Sequence, residues 1–132
     1  ERAVCQHFGW RYIDTIHADC SVMLENSINR KIEVKVKERT VEPRGHYNAS
    51  VAAANTTQNC HYYLFCSTVR DDEIYIVGII PKGDFLAGAT FRREGELDPD
   101  GPAGQNWKFR ADCYNMRYDH EAMKPVGRLP LN

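Results

Sequence analysis

The sequence predicts a mixed α/β domain, a central sheet flanked by helices, and three stretches predict it. Residues 31–37 alternate strictly: Ile32, Val34 and Val36 are apolar, while Lys31, Glu33, Lys35 and Lys37 are charged. That period of two is the pattern of a strand with one face on a core. Residues 74–80 are apolar nearly throughout, as expected of a central strand covered on both faces. Residues 1–8 offer Ala3, Val4 and Phe8 to one face of a helix, with Gly9 as its stop. At 132 residues the chain is expected to be one domain, 1–132, built on a single core.

The remaining elements follow in order. Residues 10–16 alternate weakly and read as an extended lead, with Trp10, Tyr12, Ile13 and Ile16 in the core. Asp19 opens a short strand at 21–24, and the polar residues 26–30 are turn material, so this strand and 31–37 should form a hairpin. Charged residues and Pro43 end the second strand by Val41 or Glu42. The alanine-rich stretch 50–54 suits one or two helical turns. Residues 61–69 and 73–80 are aromatic and β-branched, and Arg70-Asp71-Asp72 between them is turn chemistry, which makes a second hairpin. Pro81 and Gly83 break the apolar run, and Asp84 is placed to cap a short helix through Leu86 and Ala87. Residues 89–93 read as a further short strand, and the proline- and glycine-rich stretch 94–105 as an exposed loop. Residues 107–118 mix aromatic and basic side chains, which suits base stacking and phosphate contact. An edge strand with its aromatics turned inward fits the same residues more readily. Residues 119–123 suit one helical turn before Pro125.

Composition narrows the class. No apolar run approaches the length needed to cross a bilayer, so no membrane partner is expected. A start at Glu1 rather than methionine leads us to expect residues upstream of it. The net charge of −1 does not advertise a nucleic-acid binder. Its distribution is more informative: Arg30, Lys31, Lys35, Lys37, Arg39 and Arg44 gather around one strand, while Asp98 and Asp100 fall in a distant loop. Cys5, Cys20, Cys60, Cys66 and Cys113 are odd in number and irregular in spacing, which argues against a disulfide framework. We read them as buried free thiols in a reducing, cytoplasmic compartment.

The candidate site lies on the first hairpin. Glu33 and Lys35 project from one face of their strand, about 6–7 Å apart, and the hairpin brings Asp19 towards them. Two carboxylates are hard oxygen ligands for Mg²⁺ or Mn²⁺ beside a phosphodiester. A neighbouring lysine can position a water and offset charge developing on the phosphate. Taken alone, Glu-x-Lys in a strand is more often a solvated pair. The upstream aspartate and the hairpin shift the balance towards a site. Asp14 is a rival ligand, but no strand follows it directly.

Asp19, followed fourteen positions later by Glu33-Val34-Lys35, resembles the core motif of the PD-(D/E)XK nuclease superfamily. The likeness is nearest to small phage-type and Holliday-junction-resolvase-like members. Residues 1–9 are similar to their first helix, which carries a glutamate, here Glu1. Tyr62-Tyr63-Leu64-Phe65 and residues 76–81 resemble their core strand and the strand after it. One departure is Ala18, where the name-giving motif has proline. The resemblance implies a restriction-endonuclease-like fold and Mg²⁺- or Mn²⁺-dependent hydrolysis of DNA. Asp19, Glu33 and the Val34 carbonyl would be the metal ligands, Lys35 a catalytic residue, and Glu1 a helper. Lys31, Lys37, Arg39 and Arg44 would contact the nucleic acid. A helix after the Glu-x-Lys strand often adds polar groups, for which Tyr47, Asn48, Asn55 and Gln58 are candidates. A homodimer cutting both strands, an inactive nucleic-acid-binding relative and a protein-interaction domain all stay open.

Overall fold

The computed structural model describes residues 2–15, 18–23, 29–70, 73–99, 101 and 104–124. Helix α1 (Arg2–Phe8) buries Val4 and Cys5. Gly9 ends it in the left-handed region at φ 70°, the conformation a helix terminus most readily gives to glycine. Strands β1 (Arg11–Tyr12), β2 (Cys20–Met23) and β3 (Asn29–Arg39) run antiparallel in succession. The first hairpin is thus present. Its second strand starts earlier than the polar composition suggested, because Asn29 and Arg30 already pair with β2.

Beyond β3 the chain crosses through strand β4 (Asn48–Ala52) and a 3₁₀ turn, Ala53–Thr57. The helix expected at 50–54 is absent. Ala49 and Val51 are buried and Ser50 is exposed, so two-residue alternation outweighs the helical propensity of alanine. Strand β5 (Tyr62–Val69) then lies parallel to β3, and β6 (Glu73–Pro81) returns antiparallel beside it. Helix α2 (Lys82–Gly88) starts directly from Pro81 with no side-chain cap, and Asp84 lies in its first turn rather than capping it. Strands β7 (Thr90–Arg92) and β8 (Cys113–Arg117) complete the order. Residues 119–123 form turns and no helix.

The strands make two sheets: a mixed five-stranded sheet in the order β1-β2-β3-β5-β6, and a three-stranded antiparallel sheet in the order β4-β8-β7. The architecture is therefore mixed α/β. Helices flank the large sheet only in part, since the small sheet covers much of one face. Two expectations about strand position reverse. The apolar run of β6 is at an edge, with Ile74 47% exposed, while β5 is the buried interior strand. Strand β8, expected at an edge, is the middle of the small sheet. The β6 edge is partly closed by an antiparallel bridge from Ile79 to Lys124. Gly78 permits that approach, because a Cβ there would stand 2.8 Å from the Lys124 carbonyl oxygen.

Two apolar clusters sandwich the large sheet. Val4, Cys5 and Trp10 pack on Cys20, Ile32, Val34, Leu64 and Cys66 on one side. On the other, Tyr63, Phe65 and Ile80 meet Phe85 of α2 and Ala49, Val51 and Met116 of the small sheet. Val36, expected in the core, is 41% exposed, because β3 runs out past the first cluster. Ala3 is likewise exposed. Cys5 and Cys20 form a disulfide that ties α1 to β2, with Cα atoms 6.1 Å apart. These two are not the free thiols expected; Cys60, Cys66 and Cys113 are free and buried.

Candidate active site

Register builds the site. Cys20 pairs with Ile32 and Ser21 with Lys31, and the antiparallel ladder ends there, one residue after Asp19. The Asp19 N–H donates to the Ile32 carbonyl at 3.0 Å. Its carboxylate Oδ2 accepts the Val34 N–H at 2.8 Å, in a buried bond. The side chain thus takes over where the backbone ladder stops. A strand residue's N–H and C=O point to the same edge, so the Val34 carbonyl also faces this edge, beyond the last β2–β3 pair.

Glu33 and Lys35 sit on the face of β3 that carries the second cluster, beside Tyr63 and Phe65, their partners in the parallel ladder. Asp19 is 5% and Glu33 7% exposed. Lys35 Nζ donates to Glu33 Oε2 at 3.3 Å and to Gln58 Oε1 at 3.5 Å. Of the polar candidates in the crossover, Gln58 is the one brought to this lysine. Asn55 lies exposed on the 3₁₀ turn, and Tyr47 packs beneath Arg39 elsewhere. Asp14 is exposed, with its N–H directed to the Asp19 carbonyl at 3.3 Å. Glu1 lies outside the described residues.

Three neighbours were not foreseen. Lys82, the first residue of α2, donates from Nζ to the Gln58 carbonyl. Tyr63 is fully buried, and its hydroxyl has no hydrogen-bond partner. Burial pushes that phenol upward, with Cys60 and Glu33 adding to the effect. The Cys60 thiol is raised by burial first; Lys82 and Lys35 oppose the shift and Glu33 reinforces it. No local motif marks these residues. They reach Glu33 through the parallel pairing of β3 with β5 and through the α2 start, both products of tertiary structure.

The basic residues divide. Lys37 and Arg39 continue the line of Glu33 and Lys35 along β3 and enter a neighbouring cleft. Lys31 is at the other end of the strand, where its N–H donates to His61 Nδ1 at 2.9 Å. Arg44 is exposed in the loop before β4. Asp98 is not distant, for it lines the same cleft as Lys37.

The donor set suits a hard divalent cation. Two carboxylates and a backbone carbonyl are oxygen ligands, and Mg²⁺ commonly takes one or two protein carboxylates and leaves its remaining positions to water and phosphate. Among the described residues no group of three or more His, Cys, Asp and Glu assembles, so a cation here would rest on Asp19 and Glu33. No helix among the described residues is long and apolar enough to cross a membrane. Comparison with known proteins adds no relative: no family model, curated protein or solved structure matches the chain.

Proposed function

We propose that this chain is a metal-dependent nuclease of restriction-endonuclease-like fold that hydrolyses DNA phosphodiester bonds through Asp19, Glu33 and Lys35. The observation that carries the reading is the buried hydrogen bond from the Val34 N–H to Asp19, which ties that carboxylate to β3 between Glu33 and Lys35, themselves ion-paired. Mg²⁺ or Mn²⁺ held by Asp19, Glu33 and the Val34 carbonyl would supply Lewis acidity at the phosphoryl oxygen. The chain's own residues supply orientation and charge. The Val34 N–H fixes one oxygen of Asp19. Glu33 is held on a strand flanked by β2 and β5. Lys35, steadied between Glu33 and Gln58, orients the attacking water and offsets negative charge as it grows on the phosphate.

A second reading, a nucleic-acid-binding relative without turnover, is favoured by the ion pair itself, which occupies both Glu33 and Lys35. One experiment separates the two: incubation of supercoiled plasmid and single-stranded DNA with EDTA, Mg²⁺ or Mn²⁺, wild type beside Lys35→Ala. A nuclease gives products only with metal, and the variant is slower by roughly 10²–10³-fold, the usual cost of removing one group that stabilises developing charge. A folded wild type that is silent in every metal overturns the nuclease reading. Salt-dependent DNA binding without products would then establish the second.

A further inference from the structure

A cleft of about 860 Å³ opens beside the outer half of β3, between the start of β4 and residues 98 and 107–110. Five of its lining residues are Lys or Arg and two are acidic. None of the five, Lys37, Arg39, Arg70, Lys108 and Arg110, makes an ion pair among the described residues. Arg39 is the base of the cleft. Its guanidinium lies 4.3 Å from the Tyr47 ring centroid and 5.4 Å from that of Tyr118, and it donates to the Tyr118 hydroxyl at 3.1 Å. Its Nε is buried with no partner. Burial and the neighbouring Arg39 charge push the Lys37 ammonium downward, with Asp98 of the same cleft opposing part of the shift; an anion in the cleft would relieve the remainder.

The other wall carries Trp107, an exposed indole at 54%. Its Nε1–H is already donated to Gln105 Oε1 at 3.1 Å, so what it offers a ligand is a ring face. Unpaired cations next to an exposed aromatic face match the chemistry of an unpaired nucleic-acid strand, which presents phosphates and bases together. A duplex presents only its phosphates to such a groove. The volume also falls within the range of about 300–1,000 Å³ usual for small-ligand clefts, far below what a duplex needs. Lys37 follows Lys35 on the same face of β3, about 6–7 Å further on, so the cleft begins one strand repeat beyond Lys35, although Asp19, Glu33 and Lys35 are not among its lining residues.

We propose that this cleft binds single-stranded nucleic acid, with a base stacked on Trp107 and phosphates on Lys37, Arg39 and Lys108, and that it feeds the unpaired strand to Asp19, Glu33 and Lys35. The feeding step rests on the nuclease reading; the binding does not.

The test measures binding in EDTA, with fluorescein-labelled oligodeoxythymidylate, a duplex of equal length, and heparin and polyglutamate as competitors. Trp10 is buried, so quenching of tryptophan emission by unlabelled oligodeoxythymidylate reports Trp107. The expected result is saturable quenching, tighter binding of the single strand than of the duplex, and affinity roughly 5- to 100-fold weaker in Trp107→Ala, the range of one base–aromatic stack. Lys108→Ala should lower the salt slope by about 0.7 while leaving the quench in place. Equal or tighter duplex binding, absent quenching, or unchanged affinity in a folded Trp107→Ala would overturn the proposal. Displacement by polyglutamate as effective as by oligodeoxythymidylate would also overturn it, in favour of an acidic polypeptide. A protein that binds the single strand as described but never cleaves leaves the cleft assignment standing and removes the nuclease reading. One that cuts plasmid with metal but fails these binding criteria does the reverse.

Discussion

Asp19→Asn and Asp19→Ala should separate in stability, and their gap below wild type should widen with metal. Asp19 Oδ2 accepts the buried Val34 N–H at 2.8 Å. Alanine removes the acceptor and strands that N–H, at a cost of about 1–3 kcal/mol. Asparagine keeps an oxygen in place for that N–H, in a bond that is no longer charge-assisted. In EDTA, therefore, Asp19→Asn should lie about 1 kcal/mol below wild type, the difference between a charged and a neutral hydrogen bond, and Asp19→Ala below both.

Metal then widens the gap. At a concentration one hundred times its Kd, a ligand that binds only the folded state adds about 2.7 kcal/mol. For a chain of this length that is roughly 10 °C in Tm. Wild type should gain this in Mg²⁺ or Mn²⁺, and both variants should gain almost none. Calorimetric melts across a metal titration, with urea unfolding for the free energies, measure it. Equal metal stabilisation of wild type and Asp19→Asn would refute the ligand assignment. An Asp19→Ala protein as stable as wild type in EDTA would refute the structural role of the Val34 bond.

Other consequences are more local. The Tyr63 hydroxyl is buried without a partner, so Tyr63→Phe should be neutral or stabilising by up to about 1 kcal/mol in urea unfolding; a loss above that would mean the hydroxyl is bonded. Burial pushes the Cys66 thiol from 9.0 up to about 12. Between those values the folded chain keeps a proton that the unfolded chain has lost, so stability falls as pH rises, by up to about 1.4 kcal/mol per pH unit for this group. Cys66→Ala should lose packing energy at every pH yet show a shallower alkaline fall, and parallel curves for the two proteins would exclude the effect. Reducing the Cys5–Cys20 disulfide, which spans a sequence separation of 15, should cost about 3 kcal/mol. Paired melts with and without dithiothreitol check this, and coincident melts would show that the bridge contributes no stability.

How far the sequence could be read followed the range of the interactions. The first hairpin and the β5–β6 hairpin were legible because each is local and periodic. Strand β4 carried the same signal in Ala49 and Val51, but five residues of weak alternation were masked by alanine's preference for helix. Which of β5 and β6 lies inside the sheet was not readable, since both are apolar and only the parallel partner β3 decides. The same limit governs the site. The placement of Asp19 against the β3 backbone at Ile32 and Val34 follows from a local hairpin and could be anticipated. Tyr63 and Lys82 arrive from a strand and helix far along the chain, and nothing local marks them.

The position of the candidate site on β3 also has a physical logic. The strand is buried at 32–34 and exposed at 36–38, so Glu33 and Lys35 straddle the boundary between core and solvent. Along this face the order is Lys31, Glu33, Lys35, Lys37, Arg39, a single acid among four cations. A row made only of cations would bind a phosphate chain without distinguishing one phosphate from the next. The acid, ion-paired with Lys35, is the one point on the row that would repel a phosphate unless a cation is bound there. On the nuclease reading proposed above, a bound divalent cation would turn that point from the least favourable place for a phosphate into the most favourable, and so select one phosphodiester for attack. Charge neutralisation tests this directly: Glu33→Gln should raise metal-free affinity for single-stranded DNA by removing the repulsion, while abolishing the gain that Mg²⁺ gives the wild type. Equal affinities in EDTA would show that the Glu33 carboxylate does not face the bound strand.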